Sequence, residues 1–341
     1  MPYLSHPLRE SERRRAADGR TRLGFNMLDI ILNSTVPVFF VIALGYLAGW
    51  TRKIDNHRVA ELNALVMDFA LPASLFVAMV QTPRSLLLEQ GLLMVILALS
   101  MLAIYGLHFV VQTRLFKFDS REAAVGSLTT GLPNFASAGL PLISSVFGAA
   151  NTVSVGISIA VGSIVMSPLT LVILEASDGS AKEVPALRRI IGAIGKSILK
   201  PVVIVPIIGM VLTLCDVEVP HLLDASLILI GVGAGGVALF LTGLILSAQP
   251  FKLNRNVATG TILKNGVHPL LAAALVAGLV VSPIVGRQAI ILCAVPSGFF
   301  GILFGLRYGV VSQDAGSTLI ASTLLSAVSI PAAILLTAGT Q

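Results

Sequence analysis

Pro133, Gly139 and Pro141 interrupt an apolar stretch that is otherwise long enough to cross a lipid bilayer as one helix. They lie in the run Leu-Pro-Asn-Phe-Ala-Ser-Ala-Gly-Leu-Pro-Leu, which also carries the polar side chains of Asn134 and Ser137. Bilayer hydrocarbon offers no water to freed backbone groups, so a broken helix persists there only where it is buried in protein or lines a polar cavity. The run is therefore a candidate solute-binding site.

The chemistry of this run suits an anion. A helix that begins in mid-membrane presents unpaired N–H groups and partial positive charge, which attract an anion without a buried arginine. Asn134 adds an amide with two donor hydrogens and an acceptor oxygen, and Ser137 adds a hydroxyl. We expect Asn134 to contact the substrate; the alternative is that it caps the broken helix end.

A second interruption occurs late in the chain, in the run Val-Pro-Ser-Gly-Phe-Phe-Gly that contains Pro296, Ser297 and Gly298. Matching interruptions in two halves of a membrane protein are the best sequence pointer to the binding site of a transporter. We include these three residues in the candidate site and expect Gly139 and Gly298 to permit close backbone approach.

Other polar residues within apolar spans are functional candidates by default. Asp68, one turn before Pro72, is a candidate for binding a coupling proton or cation; alternatively it partners a buried lysine or faces a wet cavity. His268 is a second coupling candidate. Lys264 shares a helix face with His268 and is expected to extend to the cytoplasmic surface. Asn63 is a substrate-binding candidate, or else it holds neighbouring helices together.

The composition identifies an integral membrane protein. Of 341 residues, 55% are hydrophobic and 12% are charged, with a mean hydropathy of +0.91, whereas soluble domains carry about 25% charged residues. The net charge of +6 lies in short loops between apolar spans and gives no reason to expect nucleic-acid binding. The two cysteines, expected to be buried thiols, form no disulfide framework or metal-ligand spacing. We predict no enzymatic activity, cofactor or metal.

Ten apolar runs have the length of about 17–25 residues that a transmembrane helix needs. They cover residues 28–50, 59–81, 91–112, 122–143, 151–175, 197–216, 222–248, 261–282, 287–306 and 314–338.

The distribution of positive charge predicts the orientation. The connections after spans 1, 3, 5, 7 and 9 hold fifteen lysines and arginines, whereas the other connections and the C-terminus hold two. Cytoplasmic loops carry the excess of Lys and Arg, so the polar segment 176–196 should be cytoplasmic and both termini should face outward. We place the protein in the cell inner (plasma) membrane as a multi-pass protein of the lipid bilayer.

Six arginines within residues 1–26 oppose this orientation, because such a tail resists translocation. Three explanations compete. In the first, the other segments determine the orientation and the tail is tolerated. In the second, the topology is inverted. In the third, the true start is Met27 and residues 1–26 are not translated in the native protein. We favour the third, and we expect the tail to be disordered.

The ten spans divide into two repeats of five, residues 27–175 and 197–341. An odd number of spans per repeat places the second in the opposite orientation, as in transporters built from inverted repeats. Each interrupted span is the fourth of its repeat, and Val36-Pro37 in span 1 has a counterpart in Val205-Pro206 of span 6.

Several motifs resemble the auxin efflux carrier family, which includes plant auxin carriers and bacterial malonate and malate permeases. The interrupted run of span 4 is similar to the plant segment L-P-N-T-x-x-x-G-I-P-L and is the most specific match. The other matching segments are Val-Pro-Val-Phe-Phe-Val-Ile-Ala-Leu-Gly-Tyr at 36–46, Leu-Asn at 62–63 with Ala-Leu-Pro at 70–72, Leu-Phe-Leu-Thr-Gly-Leu at 239–244 with Gln-Pro at 249–250, and Ala-Val-Pro-Ser-Gly at 294–298.

The resemblance implies an all-α integral membrane protein with ten transmembrane helices as a 5+5 inverted repeat, similar to sodium/proton antiporters and bile-acid symporters. Broken helices 4 and 9 would cross at mid-membrane. Helices 1, 2, 6 and 7 would form a scaffold, and helices 3–5 and 8–10 a moving transport domain. Substrates in the family are organic anions, and members can be homodimers.

The chain departs from the plant pattern in three places. It lacks the long loop between the halves, it reads Lys200-Pro201-Val202 where plant members have N-P-N, and Ser297 replaces a glutamine. A carboxylate smaller than auxin is therefore favoured as substrate.

We thus expect a secondary transporter or uniporter of malonate- or malate-like anions that uses elevator-type alternating access. Alternatives are a sodium- or proton-coupled symporter or antiporter of the same architecture, and a membrane sensor without flux.

Overall fold

The computed structural model describes residues 8–56, 59–176 and 186–338, and nearly all of them are helical. We number thirteen helices in chain order, counting helices that continue through a π-helical or 3-10 turn as one. They are α1 (Leu8–Trp50), α2 (Ala60–Val80), α3 (Arg84–Leu115), α4 (Ser120–Gly131), α5 (Phe135–Phe147), α6 (Ala149–Glu175), α7 (Ala186–Ile198), α8 (Pro201–Leu214), α9 (His221–Ser247), α10 (Arg255–Gly278), α11 (Pro283–Ala294), α12 (Phe300–Arg307) and α13 (Gln313–Ala338).

Seven of the described helices are long and apolar enough to cross a membrane: residues 29–50 of α1, and α2, α3, α6, α9, α10 and α13. Three shorter apolar helices, α5, α8 and α11, lie at the positions of predicted spans 4, 6 and 9. An all-α membrane protein is therefore confirmed, and the described ranges contain no β-strand beyond one isolated bridge.

At each of the two predicted interruptions one helix ends and another begins in the structure. Helix α4 ends at Gly131 and α5 begins at Phe135, and the backbone between them is extended at Leu132. Helix α11 ends at Ala294 and α12 begins at Phe300, with extended backbone at Val295. We call residues 132–134 the first break and residues 295–299 the second break.

Two segments differ from the sequence expectation. Helix α1 begins at Leu8, so residues 8–26 are helical where disorder was predicted; arginine itself and the alanine and glutamate among the arginines are good helix formers. The polar segment 176–196 was predicted as a loop, but α7 fills its second part, since its apolar and basic residues recur with helical spacing. Residues 1–7, 57–58, 177–185 and 339–341 lie outside the described residues.

The cysteines also differ from each other. Cys293 is buried, as predicted, near the end of α11. Cys215 is exposed, so the expectation of a buried thiol is wrong there. It immediately follows α8, where the helix has ended and the chain turns.

Helices α1 and α9 pack so closely that their backbones touch. A Cβ atom at Gly243 would collide with the carbonyl oxygen of Ile42, and one at Gly45 would collide with the carbonyl oxygen of Phe240. Small residues at helix interfaces permit this approach in membranes, where packing rather than water exclusion drives association.

Helices α2 and α8 form a second close pair, in which Gly209 lies against Phe76 and Met79. The first half of α9 also packs on α2, with Gly231 against the backbone of Ser74. The remaining long helices pack mainly on one another: α3 contacts α4, α10 contacts α11 and α13, and α12 contacts α4. The bundle thus has two packing groups: the second contains α4, α11 and the second break, whereas α5, which follows the first break, also packs on α1 and α9 of the first.

Substitution of Gly243 by alanine should destabilise the protein, because the new Cβ meets backbone rather than a flexible side chain. Overpacking of this kind costs ~1–3 kcal/mol. Thermal unfolding of the detergent-purified protein measures the loss. Gly106→Ala in α3 is the matched control, because nothing lies within 4 Å of a Cβ there; equal melting temperatures for the two variants would contradict the close packing.

Candidate functional site

The first break and the second break are hydrogen-bonded to each other. The Asn134 backbone N–H donates to the Pro296 carbonyl oxygen at 2.9 Å, and the Gly298 N–H donates to the Leu132 carbonyl oxygen at 2.8 Å. Pro133 and Ser297, which face each other between these bonds, form an antiparallel β-bridge. Each break therefore supplies partners for backbone groups that the other break has freed from its helix.

The glycines differ in how strictly the site needs them. A Cβ at Gly298 would lie 2.8 Å from the Leu132 carbonyl oxygen, a distance that real Cβ atoms do not adopt. A Cβ at Gly139 would meet only side-chain carbons, the nearest of which is Leu292 Cδ2 at 3.4 Å. Close backbone approach thus requires glycine at 298 and much less so at 139.

Asn134 is 3% exposed, and both ends of its amide already have partners. Its Oδ1 accepts from the Ser137 backbone N–H at 3.3 Å, which caps the start of α5, and its Nδ2 donates to Thr242 Oγ1 on α9 at 3.2 Å. Asn134 therefore caps α5 in this structure, which is the alternative role that the sequence left open. Thr242 was not singled out from the sequence, although it lies in the motif Leu-Phe-Leu-Thr-Gly-Leu.

The hydroxyls of Ser137 and Ser297 are fully buried and have no hydrogen-bond partner among the described residues. A buried hydroxyl without a partner costs about 1–3 kcal/mol. Both lie at the breaks, so each break offers one polar group that a bound solute or water molecule would satisfy.

Side chains of α10 and α13 satisfy the polar groups of the second break. The Ser297 N–H donates to Ser322 Oγ at 2.9 Å, and Ser322 Oγ donates to Asn265 Oδ1 at 2.7 Å. The Ser329 hydroxyl donates to the Ala294 carbonyl oxygen at 3.1 Å and accepts from Asn265 Nδ2 at 3.1 Å. These contacts hold the end of α11 without any ionic group.

Lys264 contributes a further contact to the same end of α11. Its Nζ donates to the Cys293 carbonyl oxygen at 2.6 Å and lies 3.4 Å from His268 Nδ1. Lys264 and His268 are both 0% exposed, so the expectation that Lys264 extends to the surface is wrong. A charge count along the chain could not show this, because depth depends on how α10 packs.

A cavity of about 310 Å³ adjoins the first break. Leu132, Pro133, Phe135 and Ala136 form its floor, and α2 contributes Asn63 and Asp68. Asn63 Oδ1 is buried and lacks a partner among the described residues. The candidates Asn63, Asp68 and Pro133 thus share one cavity, whereas His268 does not line it.

Two cations also line this cavity, namely Lys200 in the turn before α8 and Arg307 at the end of α12. Neither forms an ion pair with a described residue. The Lys200 Nζ lies 5.8 Å from the centre of the Phe304 ring. With Asp68, the lining carries two positive side chains and one negative one. Sequence reasoning had counted both cations only as loop charges.

Pro141 lies elsewhere, at a second cavity of about 460 Å³ between α2, α5 and α9. This cavity contacts Ser74 and Gln81 of α2, whereas the first contacts Asn63 and Asp68. Asn63 and Gln81 are about 27 Å apart along a helix that rises 1.5 Å per residue. The first cavity therefore adjoins the first break and the second adjoins α5, toward opposite ends of α2.

The described residues contain no group of three or more His, Cys, Asp or Glu side chains that could hold a metal ion.

Apolar helices of membrane-crossing length, with interrupted helices that meet beside a solute-sized cavity, are the features of a membrane transporter. A family model described as "Membrane transport protein" matches residues 30–334. The chain belongs to this family, which is the auxin efflux carrier family that the sequence motifs indicated.

Curated relatives cover nearly the whole chain. The "Uncharacterized transporter YfdV" of Escherichia coli (strain K12) is 29% identical over 315 residues, which cover 89% of this chain and 97% of the relative. A protein of Rhizobium meliloti (strain 1021) named "Putative malonate transporter" is 24% identical over 298 residues, covering 87% of this chain and 92% of that protein. These similarities point to a transporter and not to an enzyme.

Substitution of Ser322 by alanine should weaken the second break, because the Ser297 N–H and Asn265 Oδ1 lose their partner in a buried site. An unsatisfied buried group costs about 1–3 kcal/mol. Thermal unfolding in detergent measures the change. Ser326→Ala on the same helix is the control, because the Ser326 hydroxyl bonds only the Thr323 carbonyl within its own helix. Similar losses in both variants would refute the role of Ser322.

Proposed function

We propose that this transporter carries small organic carboxylate anions of the malonate or malate type. The observation that carries the proposal is the cavity beside the first break, because it is lined by the cationic side chains of Lys200 and Arg307. Two cations without ion-pair partners among the described residues attract an anion. The name of the Rhizobium meliloti relative supports malonate as the first acid to test.

In this proposal the anion moves from the cations toward the crossing of the two breaks. Ser137 and Ser297 would donate their free hydroxyl hydrogens, and the Asn134 amide would exchange its Thr242 contact for the substrate. The cavity volume of about 310 Å³ holds a dicarboxylate of a few carbon atoms. Pro133, Gly139, Pro141, Pro296 and Gly298 would shape the backbone around it.

The proposed architecture has ten transmembrane helices in two inverted repeats, with α4–α5 as helix 4 and α11–α12 as helix 9. Helices 1, 2, 6 and 7 of this architecture are α1, α2, α8 and α9. A two-fold relation that exchanges helix 1 with helix 6 and helix 2 with helix 7 therefore turns the pair α1–α9 into the pair α8–α2. Both pairs pack closely through glycines. Pro37 and Pro206 lie within equivalent helices α1 and α8, which also supports the repeat.

The proposed mechanism is elevator-type alternating access. Helices 1, 2, 6 and 7 would form the scaffold, and the group that carries both breaks would slide against it. The cavities at the two ends of α2 support this motion, since each would serve as the solute path in one of two states.

The proposed location is the cell inner (plasma) membrane, with segment 176–196 in the cytoplasm and both termini outside. Dimerisation with a second copy is also proposed, by analogy with the family. The membrane potential contributes about 2.3 kcal/mol per charge per 100 mV. It would therefore drive efflux of a monoanion from a cell that is negative inside, whereas uptake of a dianion would require a coupled proton or sodium ion.

Reconstituted protein should catalyse saturable uptake of labelled malonate or malate into liposomes. The assay compares these acids with indole-acetate, with and without an imposed potential and pH gradient. Flux of a small dicarboxylate above that of protein-free liposomes supports the proposal. Binding of the acids in a thermal-shift assay without any flux would contradict it and favour a sensor.

Replacement of Lys200 by glutamine should weaken anion uptake, because the cavity loses one of its two cations. We expect KM to rise about tenfold, which corresponds to ~1.4 kcal/mol, with a smaller change in the maximal rate. Lys53→Gln is the control, because Lys53 is exposed and does not line the cavity. A KM that is unchanged in Lys200→Gln would remove this residue from the anion path.

A further inference from the structure

Lys264 is one of the largest fully buried side chains among the described residues, and it carries an amine. It lies within α10, in a π-helical turn that covers Leu263–Val267. Such turns inside α-helices are frequent at functional sites. The contacts of its Nζ are the Cys293 carbonyl oxygen and His268 Nδ1, and neither is an anion.

The helices packed around Lys264 bring no carboxylate to it. Helix α3 contributes Ser100, which lies 3.3 Å from His268 Nε2, and α11 contributes the thiol of Cys293. Helices α4 and α13 have their acidic residues, Glu122 and Asp314, in their first turns. The groups of α13 near this turn of α10 are hydroxyls and a backbone carbonyl that bond the neighbouring asparagine.

A permanently charged ammonium is expensive at such a place. Burial of a charge without a counter-charge costs several kcal/mol. The Cys293 carbonyl lies at the C-terminal end of α11, where the helix dipole is negative, and it compensates only part of this cost. A lysine that is neutral in one state of the protein and protonated in another avoids the rest of this burial cost while it is neutral.

Polar groups extend from one end of the bundle to within one helical turn of this buried amine. His108 of α3 and Thr130 of α4 lie against Gly260, one helical turn before Lys264. His108 is hydrogen-bonded to Asn256, whose Nδ2 donates to Asp314 Oδ2 at 2.9 Å, and Asp314 is only partly buried. The path from Asp314 to Gly260 is thus lined by groups that exchange protons or order water.

We propose that Lys264 is the proton-carrying residue of this transporter: it takes up one proton on one side of the membrane and releases it on the other in each transport cycle. Its ammonium form holds the Cys293 carbonyl and hence the present geometry of the second break. Loss of the proton weakens that contact and frees the break to move. The inference rests on the proposed anion transport and replaces Asp68 and His268 as the coupling residue.

The test measures proton and anion movement together. Wild-type protein is reconstituted into liposomes that contain a pH-sensitive dye, and labelled malonate or malate is added. We expect proton movement at a fixed ratio to anion flux. In Lys264→Gln that ratio should fall at least tenfold while anion flux persists, because glutamine binds no proton. In Lys264→Arg anion flux itself should fall at least tenfold, because arginine does not release the proton whose loss frees the break.

Lys264→Arg keeps a cation beside the Cys293 carbonyl, so it remains informative if the neutral variant fails to fold. Lys252→Gln is the control, because Lys252 is exposed in the connection before α10 and should retain the wild-type ratio. An unchanged ratio in folded Lys264→Gln or an unchanged anion flux in folded Lys264→Arg overturns the assignment, as does anion flux without proton movement in the wild type. Wild-type protein without anion flux would instead refute the proposed function, and this inference with it.

Discussion

The structure depends on how two interrupted helices satisfy their backbone groups away from water. A helix end frees N–H and C=O groups, and each of them costs several kcal/mol if it stays unpaired in hydrocarbon. Here the first break and the second break supply hydrogen-bond partners for each other, through the two backbone hydrogen bonds that flank Pro133 and Ser297. The glycine at 298 follows from this pairing, because a side chain would separate the two backbones.

The same constraint explains where the remaining polar residues lie. Asn134 caps α5 at the first break, while Ser322 binds the backbone of the second break and Ser329 and Lys264 bind the end of α11 beside it. The two breaks are therefore held by different chemistry. The first is held by a neutral amide that links it to α9, and the second by hydroxyls and an amine within its own packing group. A structure in which one group moves relative to the other would break the Asn134–Thr242 contact and keep the others.

Much of the helical framework could be predicted from the sequence, because hydropathy measures the length of apolar runs directly. The positions of the spans and of both breaks follow from leucine-rich segments punctuated by proline and glycine. What failed depends on environment rather than on spacing. The charges of segment 176–196 predicted a loop, but α7 forms in its second part. Lys264 was expected at the surface and is buried, and Cys215 was expected to be buried and is exposed. The cavity cations Lys200 and Arg307 are far apart in sequence, so only the fold brings them together.

Charge is arranged in a graded way along the proposed path. The exposed cavity wall carries full charges at Lys200, Arg307 and Asp68, whereas the breaks present only amide, hydroxyl and backbone groups. An arginine at the breaks would bind a carboxylate through two charge-assisted bonds and would slow its release. Neutral donors bind more weakly, and a transporter must release its solute as readily as it binds it. Among the described residues one amine is fully buried, that of Lys264; it bonds the backbone at the end of α11, so it influences the second break without competing for the anion.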